Sequence, residues 1–107
     1  MAIFEDVDIE DFDEIMTQEF GKKNIVILKF GSELCDACNA LEGELEDLEE
    51  EHENVSVLMI DCNDAPDIAE NYDIVKVPTM IIYKDKNTII HKSEGVLLSQ
   101  DIEKIIS

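Results

Sequence analysis

The sequence predicts an α/β protein, because segments of helical period alternate with short, nearly all-apolar runs rich in β-branched residues. Two of these runs, Ile25–Phe30 and Val55–Ile60, are joined by one long amphipathic segment. That is the pattern of a right-handed crossover between parallel strands. A second pair, Thr79–Tyr83 and Thr88–Lys92, is separated only by the polar run 84–87 and reads as an antiparallel hairpin. Parallel and antiparallel pairs in one sheet make it mixed. A chain of 107 residues with 45% apolar content can bury a proper core, so one domain over residues 1–107 is expected.

The elements follow in order. Ile3 and Phe4 fit a short first strand. Asp8 is placed to cap a helix whose apolar stripe is Ile9, Phe12, Ile15, Met16 and Phe20, and Gly21 falls where a C-terminal cap belongs. Ile25–Phe30 is apolar except for Lys29, as a strand covered on both faces should be. The helix from Asp36 to His52 has Cys38, Leu41, Leu45 and Leu48 on one face. Its acidic residues, Glu42 to Glu53, read as a solvated face on which like charges one turn apart cost about 0.2–0.5 kcal/mol per pair. Gly43 weakens this helix and allows a bend. Val55–Ile60 is a second buried strand. Asp64–Tyr72 reads as a short helix with Pro66 in its first turn. After the hairpin, Ser99 is expected to cap a last helix with Ile102, Ile105 and Ile106 facing inward.

Charge narrows the function. With 27 acidic residues against 8 basic ones, the formal net charge is −19. Such a surface repels phosphate backbones and anionic membranes, so neither nucleic acid nor membrane is an expected partner. No apolar run is long enough to span a bilayer. Residues Met1–Glu10 carry Glu5, Asp6 and Asp8 where a secretory signal would be basic and then apolar, so a cytoplasmic location is expected.

The chemistry sits at Cys35-Asp36-Ala37-Cys38, between the first buried strand and the long helix. There the free N–H groups and the dipole of the helix start favour an anion, which activates the Cys35 thiolate. Cys38, one turn on, can resolve a mixed disulfide and release the reduced substrate. Two other readings stand beside this one. A single C-x-x-C is half a structural zinc site, but Cys62, His52 and His91 form no second paired motif, so no metal is expected. The two cysteines could also be inert core residues.

These features together resemble the thioredoxin family over nearly the whole chain. The resemblance rests on Ile25–Phe30, the C-x-x-C five residues later, the strand ending Leu58-Met59-Ile60-Asp61, the Val77-Pro78-Thr79 run and Gly95. It implies the thioredoxin fold, a central mixed β-sheet flanked by helices on both faces. It also implies a cis Pro78 against the active-site sulfurs and a Val77 backbone that pairs with an extended substrate chain. Leu34 and Gly95 would complete the substrate-facing surface. No cofactor is needed, since the electrons reside in the thiol pair. The implied partners are disulfide-containing protein substrates and a thioredoxin-reductase-like or small-thiol recycling system, with the protein itself a monomer.

The departures from the family pattern are specific. The usual Trp-Cys-Gly-Pro-Cys is here Leu34-Cys35-Asp36-Ala37-Cys38, which removes a flat apolar surface and sets a carboxylate beside both thiols. Glu33 adds to that charge. Relatives carry a buried Asp six residues before the first Cys, where Lys29 stands here, and Val57 replaces its partner lysine. Lys29 either supports the thiols, by offsetting Asp36 or acting on Cys38, or packs its stem while the ammonium reaches water or an acid. Cys62 is expected to be packed and unreactive, with glutathionylation or intermolecular pairing as the alternative. The predicted activity is reduction of protein disulfides through Cys35 and Cys38. The alternatives are a redox-weak adaptor on the same scaffold and a glutathione-dependent relative.

Overall fold

The computed structural model describes residues 2–107. Five strands, β1 (Ala2–Phe4), β2 (Ile25–Gly31), β3 (Val55–Asp61), β4 (Thr79–Asp85) and β5 (Thr88–Glu94), form one sheet in the order β1-β3-β2-β4-β5. β3 lies parallel to both β1 and β2, whereas β4 runs antiparallel to β2 and β5 antiparallel to β4. The mixed sheet is as the sequence predicts.

Four helices cover it: α1 (Ile9–Gly21), α2 (Asp36–Glu51), α3 (Pro66–Asn71) and α4 (Ser99–Ile106). Side chains alternate across β2, so Val26, Leu28 and Phe30 face one layer and Ile27 the other. The first layer packs against Phe12 and Met16 of α1 and Ile68 of α3. The second packs against Leu41, Leu45 and Leu48 of α2 and Ile102 of α4. The apolar stripe read from α2 is therefore its buried face, and each of those leucines adds about 1.5–3 kcal/mol by leaving water. This packing fixes where α2 begins.

Three local expectations need correction. Gly21 does not terminate α1 as a cap; Lys22 does, and Lys23 takes the left-handed conformation at φ 64°. That conformation costs a non-glycine residue roughly 1–2 kcal/mol. It is tied down by the Lys23 N–H donating to Phe20 O at 2.9 Å and the Asn24 N–H donating to Glu19 O at 3.1 Å. Ser99 is the first residue of α4, with Leu98 at the cap position. The Ser99 N–H donates instead to Glu44 Oε1 of α2 at 2.8 Å, so a carboxylate of one helix caps the next. α3 is shorter than the predicted Asp64–Tyr72, because Asp61 Oδ1 accepts from the N–H groups of Asn63 and Asp64 and turns the chain before the helix starts. α2 runs unbroken through Gly43.

The acidic face of α2 is not uniformly solvated. Glu49 is buried at 3% exposure, Glu44 caps α4, and Glu42 is half-buried. On α1, Glu19 is buried at 1% exposure and joins that helix to β3 and to the loop before β2. Its Oε1 accepts from Ser56 Oγ on β3 and from Asn24 Nδ2, and its Oε2 pairs with Lys22 Nζ at 2.9 Å. Burial by itself would raise the carboxyl's pKa. The hydrogen bonds from Ser56, Lys22 and Asn24 outweigh it and hold the group below its ordinary value of 4.5. A depressed carboxyl contributes stability that is present above its unfolded pKa and lost as pH falls through the folded one. Glu19→Gln should thus lower stability at neutral pH by about 1–3 kcal/mol and flatten the decline below pH 4.5. Urea denaturation of both proteins across that pH range measures the difference.

Candidate active site

β2 ends at Gly31, and four residues later the chain reaches Cys35, the N-cap of α2. The Cys38 N–H donates to Cys35 Sγ at 3.1 Å, so this sulfur takes up one of the free donors of the helix start. Cys35 and Cys38 are joined as a disulfide with Cα atoms 5.2 Å apart. The two sulfurs differ in access. Cys38 is 1% exposed, whereas Cys35 is only partly covered. An attacking thiol must meet a macromolecular disulfide and a resolving thiol need not, so access gives Cys35 the first role and Cys38 the second. Asp36 and Ala37, between them, are exposed, with Asp36 in the first turn of α2.

Pro78 lies beside this helix start because of the sheet register. Thr79 pairs with Phe30, so the residue before β4 sits next to the end of β2 that launches Cys35. The Val77–Pro78 peptide is cis, in agreement with the expectation from the resemblance. The Pro78 carbonyl accepts from the Gly95 N–H at 2.9 Å, and Gly95 has φ 89°, a conformation that suits glycine. Val77 N–H and C=O form no backbone hydrogen bond among the described residues. Leu34, Val77, Pro78 and Gly95 all belong to the loops at this one end of the sheet. Leu34 is fully exposed, and Val75 is 83% exposed on the loop before Pro78.

Lys29 is buried at 6% exposure and lies opposite Met59 and Met80 in the sheet register. Sharing parity with Ile27, it faces α2. Its ammonium pairs with Glu42 Oε2 at 3.6 Å, a contact that leaves both readings of this lysine open. Asp36 forms no ion pair with it among the described residues. Val57, at the position of the relatives' partner lysine, is fully buried.

Cys62 is a free thiol, partly buried against the α1 layer. Its N–H donates to Gly31 O at 2.9 Å. Burial, followed by the Asp61 carboxylate, pushes its thiol pKa up, against the opposing pull of Lys29. Of the other ligand candidates, His52 pairs with Glu103 at 3.0 Å, near Glu51, at the far end of α2 from the disulfide.

Sequence reasoning missed Glu42 and Gly31 as part of this region. Glu42 lies four residues after Cys38 and so one turn along the same helix face, a spacing that was available in the sequence. Gly31 gave no signal, because its tightness exists only once Lys29 and Cys38 pack over it.

The Thioredoxin family model matches residues 4–107. The chain is 32% identical to the thioredoxin of Chlamydia trachomatis over 83 residues, which cover 78% of this chain and 80% of that protein. Thioredoxin-1 of Caenorhabditis elegans is 28% identical over 96 residues, 90% of this chain and 81% of that one. Among solved structures, chloroplastic thioredoxin z superposes with a TM-score of 0.84 at 26% identity, covering 99% of this chain and 92% of its own. Fasciola hepatica thioredoxin superposes at 0.80 over 99% and 96% of the two chains, and at 16% identity shows the fold alone.

The two thiols should separate cleanly by mutation. Cys38→Ser is expected to stall as a covalent Cys35 adduct with a disulfide substrate, while Cys35→Ser forms no such adduct. Non-reducing electrophoresis and intact mass of each variant after mixing with an oxidised protein report the outcome.

Proposed function

Because the chain belongs to the thioredoxin family, we propose that this thiol–disulfide oxidoreductase is a cytoplasmic reductase recharged by a thioredoxin-reductase-like enzyme or a small-thiol system. The observation behind this is the bonded Cys35–Cys38 pair at the N-terminus of α2, with one sulfur accessible and the other enclosed.

The reaction balances within the two thiols and one substrate disulfide. The Cys35 thiolate attacks a substrate sulfur, forming a mixed disulfide and expelling one substrate thiolate, which takes up a proton. Cys38 loses its proton and attacks the Cys35 sulfur. The Cys35–Cys38 bond closes, and the second substrate thiolate leaves and is protonated. Two electrons and two protons pass to the substrate. In this reading the open main chain of Val77 takes an extended substrate segment by strand addition, which gives affinity with little sequence demand. Leu34 and Gly95 border that segment, and Pro78 supports it from below.

Asp36 supports the reducing direction. A carboxylate in the first turn disfavours a second anion on Cys35, and destabilising the reduced form lowers the potential. A reductant of low potential gives its electrons to the glutathione pool, so the Cys35–Cys38 pair is expected to be predominantly oxidised at equilibrium with a poise of about −220 to −260 mV. Equilibration in glutathione buffers followed by thiol trapping measures this, together with insulin reduction under dithiothreitol. A pair that stays reduced in those buffers, or no acceleration of insulin reduction, removes the proposal.

A further inference from the structure

A cleft of about 290 Å³ opens behind the disulfide, between the end of β2, the start of α2 and the end of β3. Its charge is one-sided. Glu5, Asp6, Glu33, Glu42 and Asp61 line it, and Lys29 is the single cation among the described lining residues. Strand β2 supplies that lysine from within an apolar sheet, where an ammonium is costly to bury unless it answers a nearby negative charge. Glu42 answers it only partly, since the separation is 3.6 Å and the carboxylate is 31% exposed at the cleft.

Gly31 shows what else the lysine faces. A Cβ built on Gly31 would lie 2.8 Å from Lys29 Nζ and 3.3 Å from Cys38 Cβ. The ammonium and the Cys38 side chain thus converge on the same point, and the sum of those two lengths bounds their separation. The missing side chain at Gly31 leaves room for this approach. Glu42 follows Cys38 by one helical turn and lines the cleft, so the ammonium has the Cys38 Cβ on one hand and the Glu42 carboxylate on the other.

The resolving step requires the enclosed Cys38 to become a thiolate, in a place where burial and five carboxylates all oppose a further negative charge. We propose that Lys29 is the positioning residue that holds the Cys38 thiolate, while Glu42 passes the Cys38 proton to water in the cleft. The inference rests on the dithiol-exchange reading and deepens it. The proton leaving Cys38 is received by the Glu42 carboxylate and then by water; the thiolate electron pair forms the bond to Cys35 sulfur, and the substrate thiolate departs with the pair of the broken bond. Lys29 remains protonated throughout. Cys62, just after β3, also senses the ammonium, and Asp61 lines the cleft.

The test follows the titration of each cysteine by the ¹³Cβ shift in reduced, selectively labelled protein, which needs no reagent to reach the buried thiol. In Lys29→Met, the Cys38 midpoint is expected to rise by about one unit or more, roughly tenfold less thiolate at neutral pH, with Cys35 moving less. In Glu42→Gln, which removes a half-exposed carboxylate and tolerates a Lys29→Met that fails to fold, the Cys38 midpoint is expected to fall. An unmoved Cys38 midpoint in either folded variant, or a shift of the same sign in both, overturns the inference. If the wild type does not exchange with glutathione buffers, the dithiol reading itself fails. If it exchanges normally while Cys38 is unmoved, only the role of Lys29 and Glu42 fails.

Discussion

A single hydrogen bond, from the Cys38 N–H to the Cys35 sulfur, ties the chemistry to the fold. A sulfur in that position occupies the site a serine or aspartate side chain would fill at an ordinary helix start, so the reactive group doubles as the cap. Its usefulness depends on the helix beginning at that residue and no other. The sheet enforces this: Leu41, Leu45 and Leu48 lock α2 against Ile27, Val57 and Ile82, and the N-terminus can then only lie above the end of β2. Distant core packing and local sulfur chemistry are thus one arrangement. Loosening the first would move the donors away from the second.

The antiparallel half of the sheet adds the other wall of the site. Because β4 runs back along β2, its first residues lie beside the last residues of β2, and the cis Pro78 peptide faces the same end. The bond from Gly95 to the Pro78 carbonyl joins the loop after β5 to that wall. Three loops far apart in sequence therefore share one edge, and the main chain of Val77 is left without a backbone partner among the described residues. An unpaired main-chain segment of this kind is what strand addition requires.

Much of this was legible in the sequence. The β-branched runs, the leucine spacing of α2 and the C-x-x-C between strand and helix depend on local pattern, and each is found where pattern puts it. What pattern could not resolve was which polar groups come to rest inside. Glu19, Glu42, Glu44 and Glu49 look alike on helices dense with acid, yet one bridges a helix to β3, one answers a buried ammonium, one caps another helix and one is simply enclosed. Their roles are set by partners distant in the chain, Ser56, Lys29 and Ser99, which no window of neighbouring residues contains. The helix ends misled for a related reason. Gly21 and Ser99 have the right composition for caps, but backbone bonds from Lys23 and Asn24 close α1 after Gly21, and a tertiary bond to Glu44 takes the place of a Ser99 cap.

The lysine under the active site also bears on how this chain can change. Partly buried ion pairs rarely add to net stability, and well-packed apolar side chains of similar volume often do better in their place. Selection for robustness alone would therefore erode Lys29 and its acidic neighbour early, giving a sturdier scaffold with a slower second half-reaction. Lys29 is the one charged residue in a strand otherwise built from isoleucine, valine, leucine, phenylalanine and glycine, so it is the position of β2 where an apolar replacement would strengthen the core most directly.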